Sequence, residues 1–199
     1  MEGKAPAMAV STEQLAIEGG TPVRTRPYPP DFPGAAVMGE EEKRAVVEVI
    51  ERKSPFRFYG PSPLFKVREF ELAFARRMRV KHALAVSSGT ASLIVGLRAL
   101  GIGPGDEVLV PANTFIASPG SVLRCGATPV YVDIDESFNM DPEDLARKVS
   151  PRSRAIMPVH FEGLACDMGA IMEIAKRFNL RVIEDCAQAC GASWMGRPV

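Results

Sequence analysis

Between residues 82 and 187 short apolar runs alternate with longer stretches of helical spacing. HALAVS (82–87), EVLVPA (107–112), TPVYVDI (128–134), RAIMPVH (154–160) and RVIEDCA (181–187) read as strands. Between them, Leu93, Ile94, Leu97 and Leu100 recur three and four residues apart, as do Met168, Ile171, Met172, Ala175 and Phe178. Such alternation predicts an α/β fold with a mostly parallel sheet. The helix ends carry their own signals. Asp141 with Pro142 and Asp144 marks one start, Asp167 another, and Asn179 a stop.

Upstream the pattern changes. Residues 19–34 contain Pro22, Pro27, Pro29, Pro30 and Pro33, which predicts an extended arm and no helix, and the arm as a whole is assigned residues 1–36. In residues 40–53, Val46, Val49 and Ile50 share one helical face, with acids in the first turn and Arg52 and Lys53 at the end. SPFRFYGPSP (54–63) reads as a packed loop or an active-site loop. A second amphipathic helix is predicted over residues 62–79, with Val67, Phe70, Phe74 and Met78 on its apolar side. Residues 37–199 then form one domain.

Composition narrows the function classes. The 24 basic and 24 acidic side chains balance, so no general field draws in nucleic acid or an acidic membrane, and no apolar run approaches a membrane span. The first residues, MEGKAPAMAVSTEQ, lack the apolar centre of a secretory signal, which points to a cytoplasmic protein. Cys125, Cys166, Cys186 and Cys190 form no CxxC pair, and His82 and His160 lie far from them in sequence. No metal site is expected, and all four cysteines read as buried, reduced thiols.

The candidate chemistry collects at strand ends. Asp185 closes an apolar run that reads as a central parallel strand, where a carboxylate needs either a structural salt bridge or a ligand cation such as a protonated ring nitrogen. Ser87-Ser88-Gly89-Thr90-Ala91 places small residues at a helix N-terminus, which suits a phosphate or plain capping. GIGPGD (101–106) follows a helix and precedes a strand, the reverse of a dinucleotide fingerprint, so Gly101 reads as a helix stop and Gly105 as a turn. Phe115 is placed to stack on a planar ring or to pack in the core. His160 is an interior histidine or a ligand contact, and Gln188 a donor to a phenolate oxygen or to local backbone.

Together LAIEGGTPVR, FRFYGP, ALAVSSGTASL, GIGPGDEVLVPANTF, GATPVYVDID, IMPVHFEG and VIEDCAQACGASWMGR resemble the sugar aminotransferases of the DegT and StrS type, over nearly the whole chain. The resemblance implies a three-layer α/β/α large domain of the fold-type I pyridoxal-phosphate enzymes, incomplete at its C-terminus and without the small C-terminal domain. It implies that Gly89, Thr90 and Ala91 hold the cofactor phosphate, Phe115 stacks on the pyridine ring, Asp185 pairs with the ring nitrogen and Gln188 meets the phenolic oxygen. The implied reaction moves an amino group from glutamate or glutamine to a keto-sugar or keto-cyclitol, in a homodimer. Cys190 stands where the family commonly has histidine. The family's cofactor-linked lysine lies further downstream, whereas this chain ends 199 − 185 = 14 residues after Asp185 and its seven lysines all precede that residue. The expectation is an N-terminal portion, inactive alone. A sugar dehydratase with histidine in place of that lysine, and a non-catalytic binding fragment, are the alternatives.

Overall fold

The computed structural model describes residues 14–27 and 33–199. Two compact units divide the chain, one ending at Leu64 and one spanning Phe65–Val199. In the first, α1 (Pro33–Ala36) corrects the helix-free reading of residues 19–34. Pro33 sits at its first position, where a missing N–H costs nothing. The predicted arm residues 1–13 and 28–32 lie outside the described residues. Helix α2 (Glu40–Glu51) starts with the Gly39 N–H donating to Glu42 Oε2 at 2.7 Å. Its apolar face is open, with Val46 59% and Ile50 69% exposed. The aromatic segment that follows closes on itself. The Leu64 N–H donates to Ser54 Oγ at 2.9 Å, and Phe56 stacks on Tyr59 with ring centroids 4.6 Å apart.

In the second unit, α3 (Lys66–Met78) and α4 (Gly89–Ala99) precede a sheet whose strands are all parallel. Its strands β1 (Glu107–Pro111), β2 (Thr128–Val132), β3 (Ser153–Ile156) and β4 (Arg181–Val182) stand in the order β2-β1-β3-β4. Helices α5 (Ala117–Arg124), α6 (Pro142–Lys148) and α7 (Met168–Phe178) connect them in turn. Beyond β1 the chain steps one way to β2, then crosses back to β3 and β4. Right-handed crossovers with that reversal place the helices on opposite faces. The core shows it: Val108 and Val110 pack with Leu93, Leu97 and Val122 of α4 and α5, while Leu109 packs with Leu145 of α6 and Ile171 of α7. A short antiparallel hairpin, β5 (Ser193–Trp194) and β6 (Arg197–Pro198), ends the chain.

The helix punctuation follows local chemistry. Asp141 accepts the Glu143 N–H, Asp167 accepts the Ala170 N–H, and Asn179 ends α7 in the left-handed conformation at φ 54°. Gly101, at φ 82°, follows α4 as the helix stop.

The strands depart from expectation where pairing decides. Residues 82–87 belong to neither sheet, and the Ala85 N–H goes to Glu71 Oε1 at 2.7 Å. The run 154–160 leaves the regular ladder after Ile156, because Pro158 has no N–H to donate; pairing resumes as a single parallel bridge between Val159 and Asp185. Strand β4 has β3 as its one ladder neighbour among the described residues. All four cysteines are free thiols, but only Cys125 and Cys166 are buried; Cys186 is half-buried and Cys190, in the turn after the strand end, is exposed. Among the described residues no helix is long and apolar enough to cross a membrane, and no cluster of three His, Cys, Asp or Glu side chains could hold a metal.

Candidate functional site

The sheet's connections diverge between β1 and β3, and in such sheets the crevice at the strand carboxyl ends collects ligands. A cleft of about 580 Å³ opens there. Gly89, Thr90, Phe115, Asp185 and Gln188 all lie on its wall, gathered from three separate stretches of chain, whereas Ala91 does not. None of the described lysines lines it.

Asp185 is held from both sides. Its N–H donates to the Pro158 carbonyl at 2.9 Å and its carbonyl accepts the His160 N–H at 3.1 Å. The residue is only 7% exposed. Its Oδ2 accepts the Ser118 hydroxyl at 2.8 Å and its Oδ1 the Ala187 N–H at 3.2 Å. Among the described residues no cation pairs with it. A desolvated carboxylate with only neutral donors is an unfilled demand for positive charge.

The neighbouring groups define what else the cleft offers. Phe115 follows β1 and is 67% exposed on the cleft wall, so it lines the cleft instead of filling the core. At the start of α4, Ser88 Oγ accepts the Ala91 N–H at 3.1 Å. That donor is therefore committed to the cap, and Gly89 and Thr90 are the residues of this turn that face the cleft. An anion is favoured at such a helix start by the exposed N–H groups and the helix dipole. Gln188 Oε1 accepts the Glu162 N–H at 2.9 Å, which leaves the amide NH₂ as its donor end.

His160 is fully buried, and its Nδ1 accepts the Cys166 N–H at 3.1 Å. The ring proton is thereby assigned to Nε2, which donates to Glu184 Oε2 at 3.0 Å. The histidine, with both ring nitrogens hydrogen-bonded, thus steadies the residue next to Asp185. Burial, then the charges of Glu184 and Asp185, push the Cys186 thiol up to about 12, so it stays protonated at neutral pH and is no nucleophile. Sequence reading missed Ser118, Thr114 and Glu184. The first two share the PANTFIAS segment at a spacing of four, a signal that they lie on one side of the turn.

Residues 37–199 match the model of the DegT/DnrJ/EryC1/StrS aminotransferase family. GDP-perosamine synthase of Caulobacter vibrioides is 55% identical over 130 residues, covering 65% of this chain and 35% of that protein. A putative L-glutamine:3-amino-2,3-dideoxy-scyllo-inosose aminotransferase of Streptoalloteichus tenebrarius is 40% identical over 189 residues, 94% of this chain and 44% of that protein. The crystal structure of NtdA from Bacillus subtilis with bound cofactor PMP superimposes with a TM-score of 0.74 at 33% identity, covering 89% of this chain and 40% of that one. The chain spans less than half the length of each of these proteins. Its parallel sheet and flanking helices are part of the fold-type I architecture. The chain belongs to the DegT/DnrJ/EryC1/StrS aminotransferase family, whose cofactor is pyridoxal 5′-phosphate.

Proposed function

We propose that this chain carries the cofactor-binding half of an enzyme that transfers an amino group from glutamate or glutamine to a keto-sugar or keto-cyclitol. The carrying observation is Asp185, a buried carboxylate on the cleft wall with no cation partner among the described residues. Around it the cleft fits a planar cationic ring bearing an anionic tail: Phe115 offers a stacking face and Gly89 with Thr90 a helix start for the phosphate. When bound, pyridoxal phosphate supplies an electron sink for amino-group exchange. Asp185 would hold a proton on the ring nitrogen, the Gln188 NH₂ would donate to the phenolic oxygen, and Phe115 would keep water from one ring face. Ala91 contributes by shaping the turn, its N–H being engaged by Ser88.

The amino donor, the acceptor and a homodimeric assembly belong to the whole enzyme. The dimer reading is supported by the open apolar face of α2. A cytoplasmic location is supported by four unpaired cysteines, which persist in a reducing compartment. None of the described lysines lines the cleft, and we expect the 199-residue chain to hold the cofactor reversibly and perform no transfer.

The test is ¹⁵N transfer from labelled glutamate or glutamine to keto-sugars and keto-cyclitols, read by mass spectrometry. A protein that continues this chain to the length of its relatives should transfer the label, and the 199-residue chain should not. Transfer by the chain alone, with a borohydride-fixed cofactor on one of its own lysines, would overturn the assignment of roles. Failure of the longer protein with both donors would overturn the proposed reaction.

A further inference from the structure

Ser118 sits in the first turn of α5, fully buried, behind Asp185 and away from the cleft wall. A serine inside a helix ordinarily turns its hydroxyl back to the carbonyl four residues earlier. This one reaches across 67 residues of sequence to Asp185 Oδ2, at 2.8 Å. In that bond Ser118 is the donor, so it uses the single serine proton. The 2.7 Å contact between the Thr114 and Ser118 hydroxyls then has one polarity: Thr114 donates to Ser118 in preference to the Phe115 carbonyl, which is further away at 3.4 Å. The other carboxylate oxygen takes the Ala187 N–H at 3.2 Å. Each oxygen of the acid is thus tied to a different element.

We infer that Thr114 and Ser118 form a one-way hydroxyl relay that orients the Asp185 carboxylate toward a cationic ring nitrogen in the cleft, with Ser118 as the positioning residue; this rests on the cofactor reading given above. Thr114, Phe115 and Ser118 occupy one turn, and the Ser118 N–H donates to the Phe115 carbonyl at 3.1 Å. The relay therefore ties the backbone that carries the stacking ring to the acid that pairs with the ring nitrogen. Neither group can shift without straining the other's hydrogen bonds. A serine that merely capped or packed α5 would have no reason to spend its proton on Asp185.

The experiment is a fluorescence titration of the 199-residue chain with pyridoxamine phosphate, in a double-mutant cycle. Ser118→Ala should weaken binding about tenfold, the equivalent of one charge-assisted hydrogen bond, and Ser118→Thr, which keeps the hydroxyl, should restore it. In an Asp185→Ala background Ser118→Ala should cost less than about twofold, because the residue through which it acts is gone. Thr114→Val is the milder second variant, with a loss of about two- to fivefold that disappears once Ser118 is alanine. Equal losses in both backgrounds, or no loss on Ser118→Ala, would show a purely structural serine and overturn the relay. Absence of saturable binding by the unsubstituted chain is a different result, which overturns the cofactor site itself and the relay with it.

Discussion

Two buried acids stand at opposite ends of the same sheet. Glu107 opens β1 and Asp185 lies where β4 has run out, and they are 5% and 7% exposed. Each accepts a serine hydroxyl, from Ser150 and Ser118 respectively. The difference is charge compensation. Arg152 Nη2 meets Glu107 Oε1 at 2.5 Å, whereas Asp185 receives only neutral donors. Burial alone therefore does not mark the functional end of the sheet. The missing counter-charge separates the two, because a buried carboxylate with only neutral donors is the one that gains from a cation brought by a ligand.

The sharpest way to break this contrast is Asp185→Asn. The amide keeps the shape, and the Ser118 hydroxyl can turn from donor to acceptor toward it. Pyridoxamine phosphate affinity should fall about a hundredfold, since a charge-assisted partner is lost in a desolvated site. Stability to urea should stay level or rise by up to about 1 kcal/mol, because an unpaired buried charge has been removed. Unchanged affinity with a clear loss of stability would make Asp185 a structural acid like Glu107.

Glu107→Ala probes the other end, with a smaller effect of opposite character. Its removal strands the Ser150 hydroxyl and frees Arg152, whose side chain is 71% exposed and rehydrates readily. The expected cost is about 1–2 kcal/mol in urea unfolding, with cofactor-analogue affinity unchanged. Loss of binding in this variant would mean that the two ends of the sheet are coupled.

The contrast was only half visible in the sequence. Asp141, Asp167 and Asn179 could be read as helix ends because capping is settled within four residues. Asp185, Phe115, Gly89 and Thr90 could be placed at strand ends and helix starts by the α/β rhythm alone, and the structure brings them onto one cleft wall. Pairing was less legible. Residues 82–87 have a strand's composition, yet strand status depends on a partner that local pattern does not reveal. The Ser118 bond to Asp185 across 67 residues hides for the same reason. Cys190 looked like any small core residue, and only the turn that carries it puts it in solvent.

The smallest effect tests whether the charge at Asp185 is as exposed electrically as its hydrogen bonds imply. Cys186 adjoins it, and its thiol is raised to about 12 by burial first, then by Glu184 and Asp185. A raised thiol value favours the neutral form, so iodoacetamide labelling of Cys186 should be slow at pH 8 and accelerate about tenfold per pH unit as the thiolate fraction grows. Exposed Cys190 should label first. Asp185→Asn removes one of the two nearby negative charges without changing burial, so Cys186 should label roughly two- to tenfold faster at fixed pH. Glu107→Gln should leave that rate alone, since Arg152 already balances the charge it deletes. The readout is the initial rate by peptide mass mapping. An unchanged Cys186 rate in Asp185→Asn would mean that some group outside the described contacts already neutralises Asp185, and the two ends of the sheet would no longer differ in kind.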